Sequence, residues 1–396
     1  MTKGFRIAFG AVIAVIAAAL VFAWKTAPPR EPVYEGKTLR RWLEGHVPTS
    51  SADPRYGSPG WKKADEALRH IGTNAIPTML QMIGAKDPPA VVLKLLEIVR
   101  KQHLIKIRYR YAYQRNEEAE YAFEVLGKDA AGAVPGLIRI YEAAVTPSSQ
   151  RCAALALGHI GRAANPAIPV LLRSFTHTNA EVRFNAVSAI YYIGGDPGVV
   201  VPAMTRMLKD PKVEIRWNAV GALRQFGRRA GSALPALLEA LDDPGRLGDD
   251  TLKNQVEIAL WDIAPEKVAK PLVVEEATPM VAKGVTTSGL ARIFGDQLYT
   301  LIPPGRAVPC AVYQGWGSDS DSQMQIVLSL YRGTNQTIAS NHFLGQYEVM
   351  GIAPPPAKTH VQVAYVITRE QILLCAHDDT RKMFLELRRV ENKPQQ

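Results

Sequence analysis

Six prolines mark out the middle of this chain: Pro77, Pro135, Pro169, Pro202, Pro235 and Pro271, with 34, 33, 33 and 36 residues between successive members from Pro135 onward. Each comes after an apolar segment that ends on a small residue. The segments are Ala67–Gly72, Phe123–Gly127, Ala156–Gly161, Ala189–Gly194, Ala222–Gly227 and Ala259–Ala264. A constant period of this size predicts a solenoid, in which each helix pair buries its apolar face only against its neighbours. The wider gap after Pro77 leaves room for one degenerate pair around Val91 to Tyr113.

The residue types agree with that frame. Glycine ends a first helix because a left-handed cap costs it little. Proline in the next helix's first turn loses no hydrogen bond that the helix would have made. The apolar residues after it (Ile168, Val170, Leu171, Leu172; Leu234, Leu237, Leu238) recur at spacings of three and four and so share one face. Glu181-Val182-Arg183 and Glu214-Ile215-Arg216 supply an acidic-x-Arg start to the first helix. Together these segments resemble HEAT repeats over about Trp61 to Leu272. The resemblance implies a protein-interaction surface and no particular chemistry.

Lys3 and Arg6 precede an uncharged run from Ile7 to Trp24. As a helix, eighteen residues span about 27 Å, close to the hydrocarbon thickness of a bilayer. Basic residues before the run favour an inside N-terminus and export of the remainder of the chain. The expectation is a transmembrane signal-anchor over 1–25 with the bulk of the chain extracytoplasmic. The alternative is a secreted protein cleaved near Val21-Phe22-Ala23. Residues 26–60 are rich in Pro, Gly and Ser and read as a linker. Within it Thr38–Leu43 forms one short amphipathic helix, capped by Thr38, with Trp42 and Leu43 positioned to dock on the next domain.

The net charge is +10, and the segment from Lys25 to Arg115 carries 17 basic against 8 acidic residues. A basic excess just after an apolar N-terminus points to anionic lipid or acidic protein, so no specific nucleic acid is expected. The run Lys106–Tyr111 reads as a repeat helix with snorkelling arginines. Cys152, Cys310 and Cys375 lack the paired C-x-x-C spacing of zinc sites and read as small buried hydrophobes.

After Val274 the period changes from helical to two. Ile326, Leu328 and Leu330 alternate with polar or smaller neighbours, as do Val361, Val363, Tyr365 and Ile367. Pro303-Pro304-Gly305, Arg332–Asn335 and Ala353–Pro356 punctuate the runs. The fold class is therefore multidomain, α then β: an N-terminal transmembrane helix, an α-solenoid of HEAT-type helix pairs over 61–274, and a C-terminal antiparallel β-sandwich over 279–392.

The order of elements in that last domain carries a second resemblance. Leu301–Pro309, Asp321–Ile326, Tyr331-Arg332-Gly333, Asn341–Tyr347 (with Leu344-Gly345-Gln346-Tyr347), Gly351–Pro356, Val361–Tyr365 and Ile372–Asp378 succeed one another with few gaps. From about Leu290 to Val390 this resembles the substrate-binding β-sandwich of the seventy-kilodalton heat-shock chaperone family. The resemblance implies a groove for an extended hydrophobic peptide, with a pocket for one aliphatic side chain. Carried over by position, Trp316, Ile326, Leu328 and Val361 form the pocket, and Phe294 and Asp319 stand where two loops arch over the peptide. Leu290 or Ala291 fills the first strand's pocket position. Burying one leucine in such a pocket is worth roughly 1.5–3 kcal/mol, and strand-like backbone hydrogen bonds add affinity with little sequence demand.

This sequence departs from the family in several ways. Repeats, not a nucleotide-binding region, precede the sandwich, and six residues come after Val390. Peptide exchange is therefore expected without ATP. Trp316 and Asp319 replace smaller or apolar groups, which narrows the groove, and Gln371 stands where a late hairpin glycine belongs. Gly317–Asp321 lacks the later carboxylates of a calcium loop, and His377-Asp378-Asp379 falls at a strand end where polar turns are normal. No Gly-x-Ser-x-Gly, phosphate loop or His-Glu-x-x-His occurs. The expected function is non-enzymatic, with no cofactor and no metal: a membrane-tethered module for protein and unfolded-peptide partners. The alternative is a non-catalytic scaffold whose sandwich is only structural.

Overall fold

The computed structural model describes residues 31–44, 58–91, 93–94, 109–241, 250–269, 271–277, 280–294, 297–318, 325–333, 335, 337–353, 359–381 and 383–390. Among them no helix is long and apolar enough to cross a membrane. The run Ile7–Trp24, and with it the predicted anchor, lies outside the described residues. The chain divides into two compact units, Met1–Gly195 and Asp196–Gln396.

In the first unit, β1 (Val33–Tyr34) and β2 (Lys37–Thr38) pair and lead into α1 (Leu39–Leu43). Thr38 caps that helix, its side chain accepting from Arg41 N. Trp42 and Leu43 are buried, and Trp42 packs with Ala64 and Ala67 of α2 (Pro59–Ile71). The Trp42 indole N–H reaches Tyr34 O at 3.0 Å. Next come α3 (Ile76–Ile83), α4 (Ala112–Leu126), α5 (Val134–Ala143), α6 (Pro147–Ile160), α7 (Ile168–Arg173) and α8 (Ala180–Ile193). The second unit adds α9 (Pro197–Met207), α10 (Val213–Phe226), α11 (Leu234–Leu241), α12 (Asp250–Ile263) and the one-turn α13 (Pro265–Val268).

The cap glycines have positive φ, as expected, but not the left-handed helical conformation. Gly72, Gly127, Gly161 and Gly227 combine φ of 57, 49, 68 and 51° with ψ of −139, −128, −139 and −134°. A Cβ is tolerated still less in that region than in the left-handed well. Each turn then tightens into a 3₁₀ segment before the second helix. Pro77, Pro135 and Pro169 occupy the first turn of that helix, and Pro235 is the second residue of α11. Two prolines differ from expectation. Pro202 lies inside α9, which starts instead at Pro197. Pro271 starts no helix: α13 opens with Pro265, and residue 272 already begins a strand.

The acidic-x-Arg motifs have a structural cause. Arg183 donates to His177 O (2.9 Å) and Thr178 O (3.2 Å), and Arg216 donates to Asp210 O (2.7 Å) and Pro211 O (3.1 Å). Each arginine thus binds carbonyls in the turn before its helix, where no helical N–H is in register to reach them. Arg110, in the basic-aromatic run, pairs with the buried Glu118.

The strands are β3 (Leu272–Glu276), β4 (Val281–Ala282), β5 (Val285–Thr286), β6 (Leu290–Phe294), β7 (Gln297–Ile302), β8 (Cys310–Ser318), β9 (Val327–Arg332), β10 (His342–Met350), β11 (Thr359–Ile367), β12 (Gln371–Asp378) and β13 (Met383–Val390). The main sheet runs β7-β6-β9-β10-β13-β12-β11-β8, with β3 also pairing β12 and all pairs antiparallel. It folds over at β12–β13, so that alternate residues from both halves meet in one core. Leu328, Leu330, Tyr347, Val361, Val363, Tyr365, Ile372 and Leu374 belong to it.

The opposite face of β11, β12 and β8 is covered too. Ala364, Val366, Leu373 and Cys375 pack on Trp261 and Ala269, with Ala311, Tyr313 and Phe384 alongside. The Trp261 indole donates to Gln362 Oε1 at 3.1 Å, and Tyr313 OH donates to the carbonyls of Trp261 and Asp262 at 3.2 Å each. Burial on both faces explains why Ala364 and Val366, between the period-two residues of β11, are apolar as well, and why Ile372–Ala376 is a continuous apolar run. It also separates Cys310 from Cys375, one on each face of the sheet. Among the described residues all three cysteines are free.

Candidate functional site

The predicted pocket residues come together from both halves of the folded sheet. Leu290 on β6, Leu328 on β9, Val361 on β11 and Ile326 just before β9 share the sandwich core. Val361 sits opposite Trp316 in the β11–β8 register. The strand register also separates Leu290 from Ala291. Leu290 points into the core, whereas Ala291 pairs with Tyr331 on the outer face.

Their burial is more complete than an open pocket requires. Leu290 and Val361 are 0% exposed, Leu328 1% and Ile326 3%. Trp316 is half-buried against them. Phe294 ends β6 opposite Gln297, and its side chain lies outside the described residues, as does Asp319 altogether.

Three residues that the sequence reading did not assign to the pocket stand at the same place. Arg292 is paired with Leu330, whose side chain is in the core, so its own side chain starts toward the sandwich interior. Its guanidinium carbon lies 4.9 Å from the centre of the Trp316 ring. Tyr365 is fully buried in the core. Burial pushes its hydroxyl pKa up, and the neighbouring Arg292 charge works against that rise. Gln314, two residues before Trp316 on the same face of β8, has a buried Oε1 with no hydrogen-bond partner among the described residues. The available signal was period two itself, which places Arg292 between Leu290 and Phe294 on one face of β6.

At the β12–β13 turn, Asp379 accepts from two histidines, His377 Nδ1 at 2.8 Å and His360 Nδ1 at 2.7 Å. Asp378 is buried and accepts from Thr380 N, Arg381 N and Arg381 Nε at 2.9, 3.0 and 2.6 Å. These bonds close the turn and pin its two carboxylates. Among the described residues no group of three or more His, Cys, Asp or Glu side chains is arranged to hold a metal ion.

Comparison with known proteins gives two kinds of match. A family model described as HEAT repeats matches residues 176–261. The chain is 28% identical over 90 residues to heat shock cognate 70 kDa protein 3 of Dictyostelium discoideum (22% of this chain, 14% of that protein). It is 28% identical over 109 residues to a heat shock 70 kDa protein of Neurospora crassa (28% and 14%). For heat shock 70 kDa protein BIP3 of Oryza sativa subsp. japonica the identity is 28% over 105 residues (26% and 15%). The matches thus span only 14 to 15% of the length of those relatives. Among solved structures, an engineered protein aligns with a TM-score of 0.33 at 16% identity, covering 58% of this chain and 70% of that one. A computationally designed armadillo repeat protein for modular peptide recognition aligns with a TM-score of 0.32 at 17% identity, covering 57% and 99%. The chain carries HEAT repeats followed by an antiparallel β-domain, and it shares a short stretch of similarity with the seventy-kilodalton heat-shock proteins.

Proposed function

We propose that this protein is a non-enzymatic interaction module that holds extended peptide segments in its β-sandwich, without ATP, while its repeats engage a protein partner. The observation that carries the reading is the convergence of Leu290, Ile326, Leu328 and Val361 on one cluster beside the half-buried Trp316. Strands β6 and β8 contribute Leu290 and Trp316 to that cluster, and a peptide is expected to lie beside these two strands. The repeats offer exposed aromatic side chains such as Tyr192 and Trp217, of the kind enriched at protein interfaces. The apolar run Ile7–Trp24 is proposed to tether the chain to a membrane with the described domains on its outer side.

A second reading is favoured by two specific observations. The pocket side chains are closed to solvent, and Trp261 fastens the sandwich to the last helices of its unit. On that reading the sandwich is a structural cap.

Fluorescence anisotropy separates the two. A mixed panel of labelled heptapeptides, varied at the central residue, is titrated into the full chain and into Trp316→Ala. Saturable binding that weakens in the variant supports the peptide reading. Absence of saturable binding to the folded chain at high micromolar concentration leaves the cap.

A further inference from the structure

Counted back from the glycine that closes each first helix, two positions recur in the repeats, at eleven and at nine residues. The earlier one is answered in α4, α6, α8 and α10. Asn116 donates to Met82 O and Ile83 O at 2.8 Å each, Gln150 donates to Tyr141 O at 3.3 Å, and Arg183 and Arg216 donate to the turn carbonyls before their helices. The later one differs between helices. Glu118 of α4 pairs with Arg110, Cys152 of α6 is a small buried hydrophobe, and Asn218 of α10 has a partner. Asn185 of α8 has no hydrogen-bond partner among the described residues, although it is only 6% exposed.

The side chain of Asn185 lines a cavity between α6 and α8, together with Tyr141, Gln150, Arg151, Glu181 and Val182. The enclosed part has room for one group the size of a water molecule. With its approach from solvent the cavity holds about 270 Å³. That shape excludes a phosphate or an aromatic ring and admits the tip of one side chain. Asn185 offers that tip both an N–H donor and a carbonyl acceptor, and a buried amide left unanswered keeps its desolvation cost. Arg151 and Glu181 line the cavity with opposite charges, and Arg151 already pairs with Glu117 at 2.8 Å. The surroundings therefore favour neither a carboxylate nor an ammonium group. A second carboxamide meets the whole set. Its N–H and carbonyl pair with those of Asn185 in two hydrogen bonds, and no net charge is brought in.

We propose that this cavity is a point at which the repeats take a partner protein, and that it receives the carboxamide of a glutamine side chain. Asn185 exchanges two hydrogen bonds with the amide, and Val182 and Tyr141 pack along the methylenes that carry it. The proposal gives the repeats one contact of stated chemistry and stands apart from the sandwich.

The test follows the backbone amides of the isotope-labelled full chain by NMR while capped tripeptides are added (acetyl-Gly-X-Gly-N-methylamide, with Gln, Glu, Lys or Leu as X). Shifts at 150–151 and 181–185 report the cavity, and shifts at 290–294 and 310–318 report the sandwich separately. The Gln peptide is expected to bind the cavity about tenfold tighter than the Leu peptide, the scale of one or two hydrogen bonds. Asn185→Leu should abolish that difference. Asn185→Asp should turn the preference from Gln toward Lys, an outcome that a merely structural amide would not produce. Propionamide, a free carboxamide, should shift the same residues more weakly than the Gln peptide. Gln binding no tighter than Leu, a Gln preference that survives in Asn185→Leu, or saturation by propionamide alone overturns the glutamine site. Shifts confined to 290–294 and 310–318 overturn it too, while supporting the peptide reading of the sandwich.

Discussion

Replacing Trp261 by alanine removes the side chain that fastens the sandwich to its helical support. The indole is 3% exposed and packs on Ala364, Val366, Leu373 and Cys375, with ring contacts to Tyr313, His377 and Phe384 at 6.1, 5.4 and 5.8 Å. Truncating a buried tryptophan costs about 3–5 kcal/mol, depending on how far the surroundings collapse. The lost bond to Gln362 adds little, because that amide is only half-buried and water can replace the indole N–H. Tyr313 keeps its acceptors, since both are backbone carbonyls. Trp261→Phe retains an aromatic body and should lose about half as much or less, roughly 1–2 kcal/mol. Equilibrium urea denaturation gives the size of the loss, and limited proteolysis shows where it falls. Cleavage is expected to rise around β11, β12 and α13 before it rises in residues 31–195. A loss under about 1 kcal/mol, with unchanged proteolysis, would mean that the two-faced burial of this sheet contributes little to its stability.

Three further outcomes are set by local geometry. Gly161→Ala should cost roughly 1–3 kcal/mol through the backbone alone, because a Cβ there meets nothing within 4 Å but φ is +68°. Gly231→Ala, also free of contacts but without positive φ, should be close to neutral, and thermal unfolding of the pair checks the contrast. His159 titrates above its ordinary value: burial pulls it down, but the Glu120 hydrogen bond and the Glu120 and Glu124 charges outweigh that. Its contribution to stability is therefore complete below about pH 6.5 and is lost as pH rises through the raised value. His159→Gln should flatten that part of the stability–pH curve measured by urea denaturation. Asp378 behaves oppositely: burial raises its pKa, but hydrogen bonds from Arg381 and Thr380 bring it below the ordinary value. Its contribution is present above about pH 3.9 and is lost as pH falls through the lowered value. Asp378→Asn should cost about 1.5–3 kcal/mol at neutral pH, with a smaller difference from wild type in acid.

Much of the architecture was legible because it is dictated by period and punctuation. Glycine followed by a first-turn proline located the helix pairs around Pro77, Pro135, Pro169 and Pro235, and alternation located β9 and β11. The exceptions have physical causes. Pro202 and Pro271 occupy the expected spacing, yet one lies within a helix that begins at Pro197 and the other leads into β3. A proline does not itself say which turn of a helix it occupies. The two-faced burial of β11 and β12 was hidden, since apolar residues at the intervening positions do not name what covers the second face. Trp261 supplies that cover from a helix 101 residues before its partner Gln362. In the candidate site, the apolar residues were found by resemblance, while Arg292 and Gln314 were not. The family pattern directs attention to aliphatic positions, and only strand register shows that Arg292 lies on the same face as they do.

The central claim is that β6 and β8 border a peptide site. Hydrogen exchange of the full chain, with and without a saturating heptapeptide, tests it directly. The account predicts slower exchange in 290–294 and 310–318 on binding, with the repeats between 109 and 195 unchanged. Bound peptide that leaves both strands unaltered, or protects only the repeats, would contradict it.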